Sequence, residues 1–148
     1  MARTAVCLAW AGLSVGLIAP ALISQAWAGD LQVVVTNVRN ARGLIQVGLC
    51  PADLFLGENC PLNASAPAIP GETIVTVPNV PDGIWAAQVY HDENSNEQVD
   101  RDLLGVPTEG IGFSNNAPFR FGPPSFEDAR FQMRPGGGRI TLRLRYFN

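Results

Sequence analysis

Short apolar segments separated by turn signals recur along most of this chain. The clearest is RITLRLRY at residues 139–146, where Ile140, Leu142, Leu144 and Tyr146 alternate with polar residues. A period of two places alternate side chains on one face of a β-strand. We therefore expect a strand here, with these four side chains directed inward.

Six other segments show strand-like composition. The predicted strands are residues 31–38, 44–49, 73–80, 84–90, 117–121, 128–133 and 139–146. No segment has a convincing helical period. Short strands separated by regular turn signals predict an antiparallel β-sandwich of about seven strands, immunoglobulin-like or transthyretin-like, in a single domain.

Local signals also predict how some of these segments are arranged. Residues 31–38 and 44–49, with a turn between them, predict a hairpin. Residues 84–90 are apolar on both faces and suit a central strand, whereas Pro78 suits the end of a strand or an edge. Residues 51–71 are rich in proline and predict a loop.

The N-terminus has the features of an export signal. Arg3 precedes an apolar run at residues 5–23, and the small-x-small sequence at residues 26–28 follows. The alternative is a membrane anchor, but Pro20 and the A-x-A end favour cleavage after Ala28. We predict a signal peptide at residues 1–28, export to a bacterial periplasm or the exterior, and no membrane span in the mature chain.

The mature domain would be residues 29–148, the 148 residues of the chain less the 28 of the signal peptide. Without Arg3 it holds nine basic and thirteen acidic residues, from the totals of ten and thirteen in the full chain. That balance argues against nucleic-acid binding, which usually shows a basic patch. We expect a monomer with an envelope or extracellular ligand whose identity cannot be read from the sequence.

The cysteines support an oxidising compartment. Cys7 would leave with the signal peptide, so that Cys50 and Cys60 remain. Two cysteines in an exported domain predict a structural disulfide, which would stabilise the fold by about 2.5–3 kcal/mol. A zinc site is disfavoured because it needs four ligands.

Residues 91–116 form the longest stretch without a clear strand pattern and hold six of the thirteen acidic residues. Their D-x-N-x-N-x-x-x-D run spaces side-chain oxygens as a calcium loop does. The predicted ligands are Asp92, Asn94, Asn96, Gln98 through its backbone carbonyl, Asp100 and Glu109. We expect residues 105–116 to form an ordered cover in which Glu109 reaches back and Phe113 is buried.

Two positions depart from the calcium-loop pattern. Glu97 stands where a sharp turn favours Gly, and Leu103 stands where a bidentate Glu is usual. The alternative is a turn in which Asp and Asn side chains bond their own backbone. Repulsion among the acidic residues slightly favours a bound cation, but the sequence allows both interpretations.

The one histidine, His91, ends a buried segment beside Asp92. A hydrolase acting on envelope material could use His91 as a base with Asp92 or Glu109, and Ser114 is the nearest nucleophile by sequence. No G-x-S-x-G elbow is present. A histidine at a strand end is more often a hydrogen-bonded structural residue, so a catalytic role is the weaker hypothesis.

The chain resembles the bacterial exported family DUF2141, a domain of unknown function. The resemblance rests on residues 84–91 running into DENSNEQVD, then on LLGVPTEGIGFSNNA, residues 123–129 and the terminal strand. Members commonly have D-E-N-x-N-G-x-x-D, with Gly where this chain has Glu97. The resemblance implies a small secreted sandwich domain and carries no established activity.

These observations together predict a non-enzymatic exported module with a calcium-binding acidic loop that presents a ligand surface. The envelope hydrolase is the alternative.

Overall fold

The computed structural model describes residues 28–147. The predicted signal peptide lies outside the described residues except for Ala28, which begins the first strand. The strands are β1 Ala28–Val38, β2 Leu44–Cys50, β3 Leu62–Pro67, β4 Gly71–Pro81, β5 Gly83–Asp92, β6 Ile111–Phe113, β7 Arg130–Met133 and β8 Gly138–Arg143. A 3-10 turn, Ser114–Asn116, follows β6, and a one-turn helix α1, Phe126–Ala129, precedes β7.

The strands form two sheets. One sheet has the order β4-β1-β8, and the other has the order β3-β2-β5-β6, with β7 also pairing with β5. The predicted all-β sandwich is confirmed, with eight strands in place of about seven. Among the described strands the pairs are antiparallel except that β1 and β8 are parallel. That pair joins two strands distant in sequence, so no local turn signal could indicate it.

The main core lies between the two sheets. In β4, Val75 and Val77 are buried while Ile74 and Thr76 face solvent, which is the alternation of a strand with one buried face. The terminal strand behaves in the same way, with Leu142 buried. The core includes Leu31, Val33, Val35, Ile45, Val47, Leu49, Val75, Val77, Val89, Leu142 and Leu144. Full burial of each such side chain contributes about 1.5–3 kcal/mol.

Two positional predictions for single strands are confirmed. β5 lies inside the five-stranded sheet, between β2 and the strands β6 and β7. β4 lies at an edge of the three-stranded sheet, where the missing N–H of Pro78 breaks no interior ladder.

The predicted hairpin of residues 31–38 and 44–49 is wrong. β1 pairs with β4 and β8, whereas β2 pairs with β3 and β5, so the two strands belong to different sheets. Their connection crosses from one sheet to the other at Gly43, where φ is +65°. A Cβ at Gly43 would lie 1.8 Å from the backbone oxygen of Asp92, so only glycine allows this close crossing.

Three other predicted segments differ from the structure. The loop predicted at residues 51–71 contains β3, whose half-buried Leu62, Ala64 and Ala66 face one side. Residues 117–121 form no strand, and the strand beside β5 is instead β6. Residues 128–133 begin in α1 because the Ser125 hydroxyl accepts the backbone N–H of Asp128, which caps the helix.

A second apolar cluster covers the outer face of the five-stranded sheet. The predicted Cys50–Cys60 disulfide is present and closes the loop that carries Phe55. The Phe55 ring centroid lies 5.7 Å from those of Phe113 and Phe126. Phe113 is buried, as predicted for the cover. No helix within residues 28–147 has both the length and the apolar character needed to cross a membrane.

Candidate functional site

The acidic loop joins β5 to β6 at one end of the sandwich and begins at Asp92. Asp92 is the last residue of β5 and is 0 % exposed, because it pairs with Leu44 inside the sheet. Its Oδ1 accepts the N–H of Asn96 at 3.0 Å, and its Oδ2 accepts the N–H of Glu97 at 2.9 Å. A buried carboxylate that accepts several N–H groups is well solvated by the protein itself. Asp92 therefore winds the loop around its own side chain.

Asn94, Asn96 and Asp100 meet on the exposed side of this winding. The Asp100 carboxylate accepts the amide N–H groups of Asn94 at 2.6 Å and of Asn96 at 3.0 Å. The Asn94 side-chain oxygen accepts the N–H of Asn96, and the Asn96 oxygen accepts the N–H of Gln98. The predicted spacing thus brings these side chains together, and Gln98 joins the network through its backbone.

Glu109 reaches back to the acidic run, as the sequence predicts. It is 4 % exposed, and its two carboxylate oxygens accept the N–H of Glu93 at 2.9 Å and of Asp100 at 3.2 Å. Burial raises the pKa of Glu109, the charges of Asp100 and Asp92 add to the rise, and the two backbone hydrogen bonds oppose it. The buried carboxylate holds the two ends of the acidic run in place.

Negative charge also acts on Tyr90, which precedes His91 in β5. The pKa of Tyr90 is raised to about 12, mainly by burial and to a smaller extent by the negative charges of Asp92, Glu109 and Glu97. Within residues 28–147, N–H donors rather than cationic side chains satisfy the carboxylates of Asp92 and Glu109. The loop therefore has a negative field that hydrogen bonds offset only in part.

The oxygen-rich composition suits calcium, a hard cation that takes six to eight oxygen ligands. The carboxylates of Asp92, Asp100 and Glu109 do not suffice alone, because no group of three His, Cys, Asp or Glu residues in the described chain could hold a metal ion. A cation would also need oxygens from Asn94 and Asn96. In the structure those two amides direct nitrogen at Asp100, so rotation of both amides would be required for them to act as ligands.

Glu97 has a left-handed backbone conformation, which is why glycine is usual at this position of a calcium loop. Its φ is +62°, and that of Ser95 is +59°. The left-handed region is unfavourable for residues with a Cβ. The tight winding around Asp92 is thus kept without glycine, at a conformational cost.

His91 lies beneath the loop and is fully buried, with a hydrogen bond at each ring nitrogen. Nε2 lies 2.8 Å from the carbonyl of Arg42, and Nδ1 lies 2.9 Å from the Tyr146 hydroxyl. A carbonyl oxygen can only accept, so Nε2 carries the hydrogen. The Tyr146 hydroxyl accepts the N–H of Arg39 and can donate to Nδ1. Both nitrogens are engaged in joining separate parts of the chain.

Ser114, the nucleophile nearest to His91 by sequence, has separate partners. Its Oγ accepts the N–H of Ala87 at 2.8 Å and donates to the carbonyl of Ala129 at 2.5 Å. The hydroxyl links β5 to α1 beneath the outer apolar cluster. The structure therefore gives both residues of this pair structural hydrogen bonds.

The sequence did not predict the group of ion pairs and hydrogen bonds that surrounds the Glu93 carboxylate. Glu93 binds the side chains of Arg39, at 2.5 Å, and of Arg42, and it accepts a hydrogen bond from Asn40 at 3.0 Å. Burial acts to raise its pKa, but the hydrogen bonds from Asn40 and Arg39 and the charges of Arg39 and Arg42 lower it below the usual value. These partners lie more than 50 positions away, as the separation of 54 from Arg39 illustrates, so spacing carried no signal.

Comparison with known proteins assigns a family. The model of the family described as "Uncharacterized protein conserved in bacteria (DUF2141)" matches residues 33–141, which include most of β1 to β8 and the whole acidic loop. No curated protein and no solved structure matches the chain. The matched range is well over half of the 148 residues. The protein therefore belongs to the DUF2141 family.

Proposed function

We propose that this protein is an exported, non-enzymatic β-sandwich module whose acidic loop binds calcium and presents a surface to an envelope or extracellular ligand. The observation that carries the proposal is the convergence of Asn94 and Asn96 on the Asp100 carboxylate. The amide hydrogens of Asn94 and Asn96 place partial positive charge at the Asp100 carboxylate, where a cation would place its charge.

The chemistry of the loop supports calcium over softer metals. The available ligands are carboxylate and amide oxygens, without a thiolate or imidazole directed into the loop among the described residues. Such oxygen sets suit calcium and magnesium, and a wound, solvent-exposed loop suits the larger and less exacting ion. Asp92 and Glu109 would mainly fix the loop backbone, because they already accept N–H groups. Asn94, Asn96 and Asp100 would then supply side-chain oxygens, and Gln98 its backbone carbonyl, toward the six to eight ligands that calcium takes.

The non-enzymatic part of the proposal rests on His91 and Ser114. Each is fully buried, and their polar side-chain atoms have structural hydrogen-bond partners. Export is supported by the signal-like N-terminus and by the buried Cys50–Cys60 disulfide, a bond that persists in oxidising compartments.

Calorimetric titration with calcium tests this proposal. We expect heat of binding and a higher melting temperature in calcium than in EDTA. Calcium at about 100 times its Kd would stabilise the fold by about 2.7 kcal/mol, which corresponds to roughly 10 °C for a domain of this size.

Asp100→Asn should remove both signals, because it keeps the side-chain shape but removes the charge that faces the two amides. The matched control is Glu58→Gln, which removes an exposed carboxylate from the disulfide loop and should leave both signals unchanged. Absence of heat and an unchanged melting temperature with millimolar calcium would refute the cation proposal.

A further inference from the structure

Two adjacent leucines protrude from the far part of the β5–β6 loop. Leu103 and Leu104 have relative exposures of 105 % and 88 %, and Val106 beside them is also exposed. Single exposed apolar residues are common on protein surfaces, but a contiguous and fully exposed pair on a projecting turn calls for an explanation. We call residues 101–107 the leucine turn.

The leucine turn is held in shape by its own hydrogen bonds. The Asp102 carboxylate accepts the N–H groups of Leu104 and Val106, both at 2.9 Å. A β-bridge between Arg101 and Pro107 closes its base. The leucines are therefore presented by a preorganised turn, and binding through them would require little further ordering of the backbone.

Three further hydrogen bonds pair backbone groups inside the leucine turn. The N–H of Asp102 donates to the carbonyl of Val106, and that of Gly105 donates to the carbonyl of Asp102, both at 2.9 Å. The Arg101 guanidinium donates to the carbonyl of Gly105 at 3.1 Å. Internal pairing of this kind lowers the cost of moving the turn out of water, because lipid tails offer no hydrogen bonds.

The size and charge of the turn favour a lipid surface over a protein partner. Two leucines and a valine offer on the order of a few hundred Å², whereas a stable protein interface buries about 800 Å² on each partner. Charged Asp100, Arg101 and Asp102 lie next to the leucines and could remain among lipid headgroups. Acidic residues predominate in the adjoining loop, so anionic lipids would be repelled.

We propose that the leucine turn is a peripheral membrane contact, in which Leu103 and Leu104 enter the boundary between headgroups and acyl chains of a zwitterionic bilayer. Burial of their aliphatic carbons drives the contact. The contact needs no cation, so it is separable from the calcium proposal.

Flotation of residues 29–148, the predicted mature chain, with phosphatidylcholine vesicles in EDTA tests the membrane proposal. The double substitution Leu103→Ser and Leu104→Ser should weaken vesicle binding by at least about tenfold. Its melting temperature should be unchanged, since both side chains are fully exposed. The matched control is Ile84→Ser, which alters an exposed aliphatic residue near the opposite end of β5 and should keep wild-type binding.

A local measurement separates this turn from other apolar parts of the chain. Tryptophan fluorescence is recorded for Leu104→Trp and Ile84→Trp on vesicles of brominated phosphatidylcholine, which quenches immersed indoles. We expect additional quenching for Leu104→Trp and none for Ile84→Trp. Equal vesicle binding by the double serine variant, or an unquenched Leu104→Trp, would overturn the proposal. Loss of self-association in the double variant, with no vesicle binding by the wild type, would assign the turn to a second copy of the chain instead.

Discussion

Individual side chains in the acidic loop have their roles set by what they accept. Asp92 and Glu109 accept backbone N–H groups and so act on the loop backbone, whereas the Asp100 carboxylate accepts the side-chain amides of Asn94 and Asn96. The two aspartates that look equivalent in the D-x-N-x-N-x-x-x-D run, Asp92 and Asp100, thus have different roles. Asp92 and Glu109, which fix the loop backbone, are buried, whereas Asp100 is partly accessible.

Glu97→Gly should stabilise the protein. Glu97 has φ +62°, which costs an L-residue roughly 1–2 kcal/mol, and glycine removes that cost while losing more chain entropy on folding. We expect a net gain of about 0.5–1 kcal/mol in the free energy of unfolding, measured by urea denaturation.

Two controls isolate the backbone effect. Glu97→Gln removes the charge but keeps the Cβ, and Gln98→Gly introduces glycine at a neighbouring position outside the left-handed set. If Glu97→Gln stabilises as much as Glu97→Gly, relief of charge repulsion and not backbone strain is responsible.

At the scale of elements, the C-terminal end of β5 is the structural centre of the site. His91 joins this strand to the β1–β2 connection through Arg42 and to the C-terminal segment through Tyr146. The Arg39 guanidinium lies 4.5 Å from the centre of the Tyr146 ring, which adds a cation–π contact to the same junction. The histidine therefore connects three segments, which explains why it is buried with both nitrogens satisfied.

His91→Ala should destabilise the fold by about 2–4 kcal/mol, because it leaves a cavity and unpaired polar groups. Tyr146→Phe removes only one hydroxyl and should cost about 1–2 kcal/mol. Thermal denaturation of both variants measures the effect, with the exposed Thr141→Ala on β8 as a control. A hydrolase with a catalytic His91 would instead keep its melting temperature in His91→Ala and lose turnover.

At the scale of the whole molecule, Glu93 ties together loops from both sheets. It lies just after β5, and its partners Arg39 and Arg42 lie in the connection that carries the chain from β1 into β2. The folded-state pKa of Glu93 is lowered from the usual 4.5. Its contribution to stability is consequently present above pH 4.5 and is lost as the pH falls through the lower folded value.

Glu93→Gln should lower the free energy of unfolding at pH 7 by about 1–3 kcal/mol, because two arginines lose a shared carboxylate. The difference from wild type should shrink as the pH falls below 4.5, where the wild-type carboxylate also becomes protonated. Urea denaturation across this range measures both effects. Glu127→Gln, which breaks the exposed pair with Arg130, should change stability by less than about 1 kcal/mol at any pH. A difference for Glu93→Gln that is constant with pH would contradict the ionic explanation.

The sequence by itself determined the features that depend on neighbouring residues. Alternation predicted the burial of Leu142 and Leu144, and two cysteines in the mature domain predicted the disulfide. The spacing of the Asp–Asn run brought its members together because a tight loop is organised by hydrogen bonds over two to six positions, such as those from Asn94 to Asp100. Strand periodicity and hydrogen bonds within a short loop can therefore be predicted from residues close in sequence.

Only the tertiary structure decided which strands share a sheet and which distant groups meet. The segments at 31–38 and 44–49 are compatible with a hairpin, yet packing of their apolar faces places β1 and β2 in opposite sheets. Glu93 accepts a hydrogen bond from Arg39, 54 positions away, and the Arg39 N–H donates to the Tyr146 hydroxyl, 107 positions away. Contacts of this range depend on how the sheets stack, because no local period relates the residues that make them. The acidic loop could therefore be recognised in advance, whereas the buried groups that hold it in place could not.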